Sequence, residues 1–282
     1  MDQTSGRLLI TGATGGMGSA CSLLAAERGH SLLLTDLDAD KLRELQADCI
    51  ERGVACDTWV TDVTDFASID GLAECAGSLR IDGAIHTIGL SPQMADWRTI
   101  IEVDLVGNLT LVEAVRPAMN PGACSVCIAS MSGHMVPANE QIDAVLADPL
   151  AADFGARLTA LAADEASLEH SGLAYAYAKK ALKNYVASHA FRWGAEDKRI
   201  VSISPGLIDT EQGQLESNAM DNFDEMQSLI ALRRLGAAED IANLCLYLVS
   251  EQASYITGCD ILVDGGFIAR MNEQQAAPAG NG

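Results

Sequence analysis

The amino-acid sequence predicts an α/β fold in which a doubly wound parallel sheet forms a single domain. Short apolar runs typical of strands alternate along most of the chain with longer runs typical of helices. The first strand-like run leads directly into a glycine-rich turn at Thr11–Gly18. The length of 282 residues and the hydrophobic content of 49% are enough to bury the core of one large domain.

The glycine-rich turn lies between the apolar run Leu8–Ile10 and a helical run that ends near Arg28. A dinucleotide site requires this order, because glycines let the backbone approach a pyrophosphate and a helix N-terminus offers free N–H groups. The spacing is T-G-x-x-x-G-x-G, not G-x-G-x-x-G, so the turn alone leaves a plain tight turn open as the alternative. The residues expected to bind the cofactor here are Gly12, Thr14, Gly16, Met17 and Gly18.

The second predicted strand, Ser31–Thr35, ends at Asp36, 24 positions after Gly12. An acidic residue in this place accepts hydrogen bonds from the adenosine ribose hydroxyls. Its charge would repel the 2′-phosphate of NADP, and no Arg or Lys stands in the turn or directly after Asp36. The sequence therefore predicts NAD as the cofactor. The alternative is that Asp36 only helps to cap the helix predicted over Asp40–Arg52.

The next two strands add further candidates for the cofactor site. After the third strand, Ala55–Val60, Asp62 is expected to accept a hydrogen bond from adenine and Val63 to pack against the ring. The fourth strand runs through Ile81–Gly89, and Gly89 is expected to lie beside the cofactor. His86 is expected to be a residue of the strand end and not a catalytic base, because nothing nearby would orient it.

A helix is predicted over Trp97–Met119, followed by a fifth strand over Cys124–Ala129 that delivers Ser130. Ligands of open α/β sheets bind outside the carboxyl ends of the strands, so the Ser130 hydroxyl is expected in the active cleft. Cys124 and Cys127 form a C-x-x-C pair, but positions i and i+3 of a strand face opposite sides of the sheet. No metal site is predicted.

Tyr175 and Lys179 open the next predicted helix with the spacing Y-x-x-x-K. Positions i and i+4 share one helix face, and an ammonium group beside a phenol favours the phenolate. Tyr177 lacks this partner, since its i+4 position is Ala181. The sequence therefore predicts that Tyr175 is the general acid or base. Taken alone the pattern is common by chance, and its meaning depends on the turn, Asp36 and Ser130 that precede it.

A sixth strand over Arg199–Ser204 leads to residues expected at the nicotinamide, namely Pro205, Gly206, Ile208 and Thr210. The polar segment 209–234 is expected to be a mobile substrate lid. A helix over Ala238–Ser250 and a strand over Asp260–Val263 complete one domain at 1–270, and a disordered tail is expected at 271–282.

Composition excludes several classes of partner. The formal net charge of −21 argues against nucleic acid and against an anionic membrane, both of which require clustered Lys and Arg. The N-terminus lacks the pattern of a signal peptide, and no apolar run approaches the roughly 18 residues that span a bilayer. Eight scattered cysteines suit a reducing compartment, so a cytoplasmic location is expected.

With these residues assembled, the chain resembles the short-chain dehydrogenase/reductase family from residue 7 to about residue 270. The matching residues are Thr11–Gly18, Asp36, Asp62-Val63, Ser130, Tyr175 with Lys179, Pro205-Gly206, Tyr255–Gly258 and Val263–Gly266. Within the family it is most similar to the bacterial 3α-hydroxysteroid dehydrogenase/carbonyl reductase group, on the residues Leu173–Tyr175, Phe191–Gly194 and Arg233-Arg234. The resemblance implies a Rossmann-type fold, a nicotinamide cofactor contacted by Tyr175 and Lys179, and a homo-oligomer.

Three features depart from the family pattern. The family's Asn-Asn-Ala-Gly after the fourth strand is replaced by His86–Gly89, and the asparagine of its catalytic tetrad is replaced by Asp104. Asp104 can accept similar hydrogen bonds, but its charge puts a relay role in doubt.

The third departure is the separation of 45 positions between Ser130 and Tyr175, much longer than is typical of the family. The extra segment, 137–171, is predicted to be a helical insertion, with apolar residues at helical spacing at Ile142, Val145, Leu146, Leu158 and Leu161. Two interpretations of this segment stay open. It is either a helical hairpin or oligomer contact, or it is a wall over the substrate pocket.

The function predicted from these residues is an NAD-dependent oxidoreductase that interconverts a secondary alcohol and a ketone. Tyr175 exchanges the proton, Lys179 tunes it and Ser130 holds the substrate oxygen. The resemblance implies a hydroxysteroid or another cyclic alcohol. Alternatives are a dehydrogenase of terpenoid or aryl-propenyl alcohols and a non-catalytic NAD-binding sensor. A sensor would be free to lose these three residues, and all three are retained.

Overall fold

The computed structural model describes residues 6–164, 166–219 and 222–276. Within these ranges the strands are β1 (Arg7–Thr11), β2 (Leu32–Asp36), β3 (Cys56–Val60), β4 (Ile81–His86), β5 (Met119–Ile128), β6 (Arg199–Pro205), β7 (Ile208–Asp209), β8 (Gly236–Ala237) and β9 (Asp260–Val263). The α-helices are α1 (Gly16–Glu27), α2 (Ala39–Glu51), α3 (Phe66–Leu79), α4 (Trp97–Ile101), α5 (Asn108–Val115), α6 (Ser132–Met135), α7 (Glu140–Leu146), α8 (Phe154–Asp164), α9 (Ser171–Gly194), α10 (Glu211–Asn218), α11 (Phe223–Ser228), α12 (Ala238–Val249) and α13 (Phe267–Ala276). A π-helical segment, Glu102–Gly107, joins α4 to α5, and short 3₁₀ turns follow at Arg116–Ala118, Ala166–Glu169 and Glu251–Ala253.

The main sheet of the described chain has seven parallel strands in the order β3-β2-β1-β4-β5-β6-β9. Its central register places Leu9 beside Leu33 on one side and beside Ala84 on the other. The strand order reverses between β1 and β4, which opens a crevice at the carboxyl ends of these strands. The predicted doubly wound, Rossmann-type sheet in a single domain is confirmed.

Alternate strand residues enter two separate apolar layers. Leu9 and Leu33 face the layer that contains α3, α5 and α9, whereas Leu8 and Leu32 face the layer of α1, α2 and α12. Strands buried on both faces are typical of parallel sheets covered by helices. Cys124 and Cys127 belong to opposite layers, which agrees with the prediction that they cannot bind one metal ion together.

The predicted single helix over Trp97–Met119 is wrong in one respect, because it is interrupted. Residues Glu102–Gly107 widen into a π-helix, in which each turn holds an extra residue, and Asp104 lies in this segment. Such segments inside α-helices frequently mark functional sites. Here the widening aims the Asp104 side chain at the loop after β4, as the site geometry shows.

The insertion at 137–171 folds as α7, α8 and the 3₁₀ turn before α9. Its apolar side chains join the same buried layer as α4 and α9, with Ile142, Leu146, Leu158 and Leu161 each less than a tenth exposed. A groove of about 680 Å³ remains between α8 and the outer face of the α4–α5 region. The insertion therefore packs on the helical layer.

The segment after β6 contains α10 and α11 and is bracketed by the small parallel pair β7–β8. A separate apolar cluster that includes Ile230, Phe267 and Ile268 anchors its end. Phe267 and Ile268 also anchor α13, so helix continues through residue 276, where the sequence predicts disorder from residue 271 onward. Residues 277–282 of that predicted tail lie outside the described residues. In the ranges that the structure describes, no helix is both long enough and apolar enough to cross a membrane.

Candidate active site

The glycine-rich turn connects β1 to α1 with a backbone that only glycine tolerates at two positions. Gly12 has φ of +67°, in the left-handed region, and a Cβ atom at Gly18 would lie 2.0 Å from the Gly12 carbonyl oxygen. Thr87, from the loop after β4, holds this turn by donating to the carbonyls of Thr11 and Gly12 at 2.8 and 3.0 Å. Sterics thus account for the glycines at these two positions.

The N-terminus of α1 is available to a phosphate. The first turn of α1 contains no acidic residue, and the described chain supplies no side-chain cap for it. Free N–H groups and the positive end of the helix dipole favour an anion at such a terminus. Gly16 and Met17 line the cleft here, together with Thr210 from the far side.

Asp36 lies at the end of β2, beside the turn. Its Oδ2 accepts a hydrogen bond from the Thr14 amide at 2.9 Å, and its Oδ1 accepts one from the Leu37 amide at 2.7 Å. These bonds aim the carboxylate toward the glycine turn and leave its remaining lone pairs for a ligand. These contacts do not support the alternative that Asp36 helps to cap α2. Asp38 caps that helix by accepting hydrogen bonds from the amides of Asp40 and Lys41.

Asp62 and Val63 follow β3 at the same edge of the sheet. The Asp62 carboxylate accepts hydrogen bonds from the Thr64 amide and hydroxyl at 2.8 and 2.7 Å. The Val63 side chain is 8% exposed and belongs to the apolar layer. Val63 therefore offers little surface to a ring, and the adenine contacts predicted for these two residues stay predictions.

Ser130 and Tyr175 line one cleft together with the glycine turn and with Pro205 and Gly206. Ser130 follows β5, and its Oγ accepts from the Ser132 amide and hydroxyl at 3.2 and 3.0 Å. The backbone on either side of Ser130 is tied to β6, because the amides of Ala129 and Met131 donate to the carbonyls of Ile203 and Pro205. The sheet thus holds Ser130 at the predicted place.

Tyr175 and Lys179 lie one turn apart near the start of α9. The Lys179 ammonium is 5.4 Å from the centre of the Tyr175 ring and also contacts the Ile128 carbonyl at 3.4 Å. Burial raises the pKa of Tyr175 well above its usual value, and the charges of Glu216 and Asp104 raise it further, whereas a hydrogen bond with Ser130 lowers it. The tyrosine hydroxyl is thus a phenol at neutral pH.

Asp104 lies against Lys179 in the interior of the protein. Its Oδ2 is 3.1 Å from the Lys179 ammonium, and its Oδ1 accepts the Leu90 amide at 2.7 Å. Burial raises the pKa of the Asp104 carboxyl, while Lys179 and the Leu90 amide lower it. Burial outweighs these contacts, so the pKa of the Asp104 carboxyl lies above its usual value, and Oδ2 meets the ammonium without a hydrogen bond of normal geometry. Gly89 lies directly beside the pair, since a Cβ there would come within 3.0 Å of the Lys179 ammonium.

The loop after β6 closes the other side of the cleft. The Gly206 amide donates to the Val263 carbonyl at 2.9 Å, and Ile208 starts the small parallel pair with β8. Thr210 caps α10 by accepting from the Gly213 amide, and its side chain touches the position of Gly16. These residues therefore meet the glycine turn from the opposite wall, at the side of the cleft where the nicotinamide is predicted.

Two further residues of this site were missed by sequence reasoning. Glu216 and Gln212, on α10, line the cleft beside Tyr175. Burial raises the pKa of Glu216. The only signal in the sequence is that acidic and amide residues follow Thr210 at helical spacing.

His86 is fully buried, and burial lowers its pKa to about 3, so it is neutral and cannot accept a proton near neutral pH.

The residues present fit a nicotinamide dinucleotide. At Gly12 and Gly18 of the turn, any side chain would collide with neighbouring backbone atoms. The uncapped N-terminus of α1 and the Asp36 carboxylate lie beside this turn. Ser130, Tyr175 and Lys179 supply groups that hold or exchange a proton next to this turn. Across the described ranges no group of three or more potential metal ligands occurs.

Comparison with known proteins shows which family this chain is similar to. A family model described as enoyl-(acyl carrier protein) reductase matches residues 12–147 and 144–268. Over 282 aligned residues the chain is 29% identical to 3-alpha-hydroxysteroid dehydrogenase/carbonyl reductase of Comamonas testosteroni, with 95% of this chain and 98% of that protein covered.

A second relative is an uncharacterized short-chain type dehydrogenase/reductase of Sinorhizobium fredii, 26% identical over 271 residues. The match covers 93% of this chain but 43% of that protein, so the chain spans less than half of this relative. Among solved structures, a short-chain type dehydrogenase/reductase from Mycobacterium ulcerans has a TM-score of 0.76 at 22% identity, covering 94% of this chain and 90% of that one.

Proposed function

Because the chain belongs to the short-chain dehydrogenase/reductase family, we propose that it is an NAD-dependent oxidoreductase that interconverts a secondary alcohol and a ketone. The observation that carries the proposal is the single cleft that holds Ser130, Tyr175 and the glycine turn, with Lys179 behind the tyrosine. Oxidoreductases of this family typically use a nicotinamide cofactor, which supplies or accepts the hydride when bound.

The side chains of the cleft account for the proton half of the reaction. The Ser130 hydroxyl is held at the strand end, where it donates to the substrate oxygen. Tyr175 exchanges a proton with that oxygen, as an acid toward a ketone and as a base toward an alcohol. Lys179 lies against the tyrosine ring and is itself held by Asp104 and by the Ile128 carbonyl.

A preference for NAD over NADP is supported by Asp36. Its carboxylate faces the glycine turn, and the next residue, Leu37, is exposed and carries no charge. A 2′-phosphate at this place would meet an anion without a compensating cation from either neighbour. Equal affinity of the wild-type protein for NADH and NADPH, measured by cofactor fluorescence, would contradict this part of the proposal.

The substrate class proposed is a hydroxysteroid or another cyclic alcohol. Support comes from the name of the Comamonas relative, which is 29% identical to this chain. Terpenoid and aryl-propenyl alcohols are the second class to be tested. The described residues that line the Tyr175 cleft come from the sheet ends, α1, α9 and α10, so the lid segment is a better candidate than the insertion for setting substrate size.

A homo-oligomer and a cytoplasmic location complete the proposal. Phe191 and Tyr255 are almost fully exposed large side chains, which an interface between copies would cover. All eight cysteines are free, which suits a reducing compartment. Sedimentation of the purified protein at several concentrations tests the first of these statements.

Replacing Tyr175 tests the central claim. Tyr175→Phe removes only the hydroxyl, so turnover is expected to fall by about 10²–10⁴-fold, the usual contribution of a general acid or base. Binding of NADH, followed by fluorescence, is expected to stay within a factor of a few. The wild type is screened with a panel of steroids, cyclic alcohols and terpenoid alcohols. NADH binding without turnover across that panel would instead favour the non-catalytic sensor.

A further inference from the structure

The pairing of Asp104 with Lys179 sets the charge around the catalytic tyrosine. Both side chains are buried, with 4% of the Lys179 side chain and none of the Asp104 side chain exposed, and their charged atoms are 3.1 Å apart. Oδ1 of Asp104 accepts a hydrogen bond from the Leu90 amide, and a Cβ atom at Gly89 would lie 3.0 Å from the Lys179 ammonium. The pair is thus closely packed in the interior of the protein.

A carboxylate in contact with the ammonium cancels much of the field that the ammonium exerts on its other neighbours. Lys179 lies 5.4 Å from the ring of Tyr175, which is farther than its distance to Asp104. The lid contributes a second carboxylate, because Glu216 lines the cleft next to Tyr175. The charged groups that face the tyrosine are therefore one ammonium on α9, one carboxylate from the π-helical segment and one from α10.

This arrangement of one ammonium and two carboxylates disfavours the tyrosinate form of Tyr175 and favours its phenol form. Burial of Tyr175 has the same effect, since the charged form loses its hydration. Only the hydrogen bond with Ser130 works in the opposite direction. An asparagine in place of Asp104 would keep the amide contact to Leu90 and leave the charge of Lys179 uncompensated.

We propose that Asp104 is a positioning residue that keeps Lys179 paired and so reduces the field that Lys179 exerts on Tyr175, which makes the Tyr175 phenol a weaker acid and its tyrosinate a stronger base. The inference rests on the proposed function for the identity of the reaction. In ketone reduction, the Tyr175 hydroxyl proton moves to the carbonyl oxygen. A reduced nicotinamide, when bound, would supply the hydride, with both its electrons, that the carbonyl carbon receives. The π electrons of the C=O bond form the new O–H bond, and the tyrosinate regains a proton from solvent.

The direct test measures ionisation of Tyr175 in the protein without cofactor or substrate. Ultraviolet difference titration of the phenolate is recorded for the wild type and for Asp104→Asn, each also in a Tyr175→Phe background that isolates the signal of this tyrosine. The expected result is that Asp104→Asn lowers the midpoint of the Tyr175 signal by at least about one pH unit, a tenfold change in the ionisation constant. An unchanged midpoint would overturn the proposal.

Asp143→Asn is the matched control. Asp143 pairs with Lys180, the residue after Lys179, at 2.7 Å, but on the side of the insertion. It removes the same charge from beside the neighbouring lysine of α9, away from Tyr175, so the midpoint of Tyr175 is expected to stay within a few tenths of a pH unit. A shift as large as that of Asp104→Asn would show that net charge alone is responsible, which also overturns the proposal.

A second variant keeps the test independent of the folding of Asp104→Asn. Glu216→Gln alters a residue of the lid helix and is expected to lower the same midpoint, by less than Asp104→Asn, because it forms no contact pair with Lys179. If Asp104→Asn does not fold, an unshifted midpoint in Glu216→Gln overturns the charge argument.

Kinetic measurements then connect the titration of Tyr175 to turnover. In Asp104→Asn, kcat for alcohol oxidation near neutral pH is expected to rise, because more of Tyr175 is tyrosinate, and the pH profile of oxidation is expected to move to lower pH. A protein with no turnover on any alcohol or ketone would refute the proposed function, whereas the titration would still report on Asp104. Turnover together with an unshifted midpoint would refute only the inference.

Discussion

Two lysines that follow each other on α9 form ion pairs in two different regions of the molecule. Lys179 reaches Asp104 in the interior at 3.1 Å, with 4% and 0% of the two side chains exposed. Lys180 reaches Asp143 of the insertion at 2.7 Å, with 17% and 32% exposed. The residue types and the helix are the same, and the distances are similar. What differs is the amount of water around each pair.

The difference teaches that burial, and not the presence of an ion pair, decides what such a pair does. In water-accessible surroundings a charge pair contributes little net free energy, because solvent and salt screen it. In the interior each charge depends on its partner, since the cost of desolvation is not recovered otherwise. The Lys179 pair can therefore set the properties of Tyr175, whereas the Lys180 pair can only help to hold the insertion.

The largest expected effect comes from removing one partner of the interior pair. Lys179→Ala leaves the Asp104 carboxylate buried without its ammonium, and the free energy of unfolding is expected to fall by about 3–5 kcal/mol. Lys180→Ala is the control, with an expected loss below about 1 kcal/mol. Urea unfolding followed by circular dichroism measures both. Equal losses in the two variants would remove the distinction between the pairs.

The second prediction concerns how the insertion is held. Ile142 and Asp143 are adjacent on α7, and Ile142 is fully buried. Ile142→Ala is expected to lower the free energy of unfolding by about 2–4 kcal/mol, through lost apolar contacts and the cavity left behind. Asp143→Asn is expected to lower the free energy of unfolding by less than about 1 kcal/mol, and this small loss is expected to disappear in high salt. If the ion-pair variant costs as much as the apolar one, the insertion is held by charge and the comparison fails.

The most gradual effect is a pH dependence on the interior side of the comparison. Burial lowers the pKa of His86 to about 3 in the folded protein, below its value of 6.5 in the unfolded chain. The unfolded chain therefore binds a proton that the folded protein refuses. The stabilisation is complete above pH 6.5, and it is lost by about 1.4 kcal/mol for each pH unit as the pH falls from 6.5 toward 3.

His86→Asn removes this group while keeping a polar residue of the family type at the end of β4. The free energy of unfolding of the variant is expected to fall less steeply between pH 6.5 and pH 4 than that of the wild type. Chemical denaturation at a series of pH values measures both slopes. Parallel curves would mean that His86 binds its proton in the folded protein as readily as in the unfolded chain.

Much of the fold and of the catalytic set could be predicted from the sequence because the signals are local. The glycine turn joins one strand to one helix, and the steric need for Gly12 and Gly18 acts within seven consecutive residues. The pairing of Tyr175 with Lys179 follows from one helical turn. Asp36 and Ser130 each end a strand, and strand ends of a parallel sheet share one edge.

The remaining features depend on contacts between residues that are distant in the sequence. No local pattern in the sequence predicts that the helix over Trp97–Met119 widens around Asp104, whose partners Leu90 and Lys179 are distant in the sequence. The position of Glu216 beside Tyr175 depends on how α10 folds over the cleft. In the same way, periodicity predicts the helices of the insertion but not that they pack on α9.

The sequence was thus sufficient for the fold class, for the family resemblance and for the proposal of three residues that would handle the proton. It also showed that an aspartate stands where the family has an asparagine. Only the tertiary structure placed that aspartate in contact with Lys179, away from water. The physical reason is that the strength of an electrostatic interaction depends on distance and on burial, and both are properties of the folded chain.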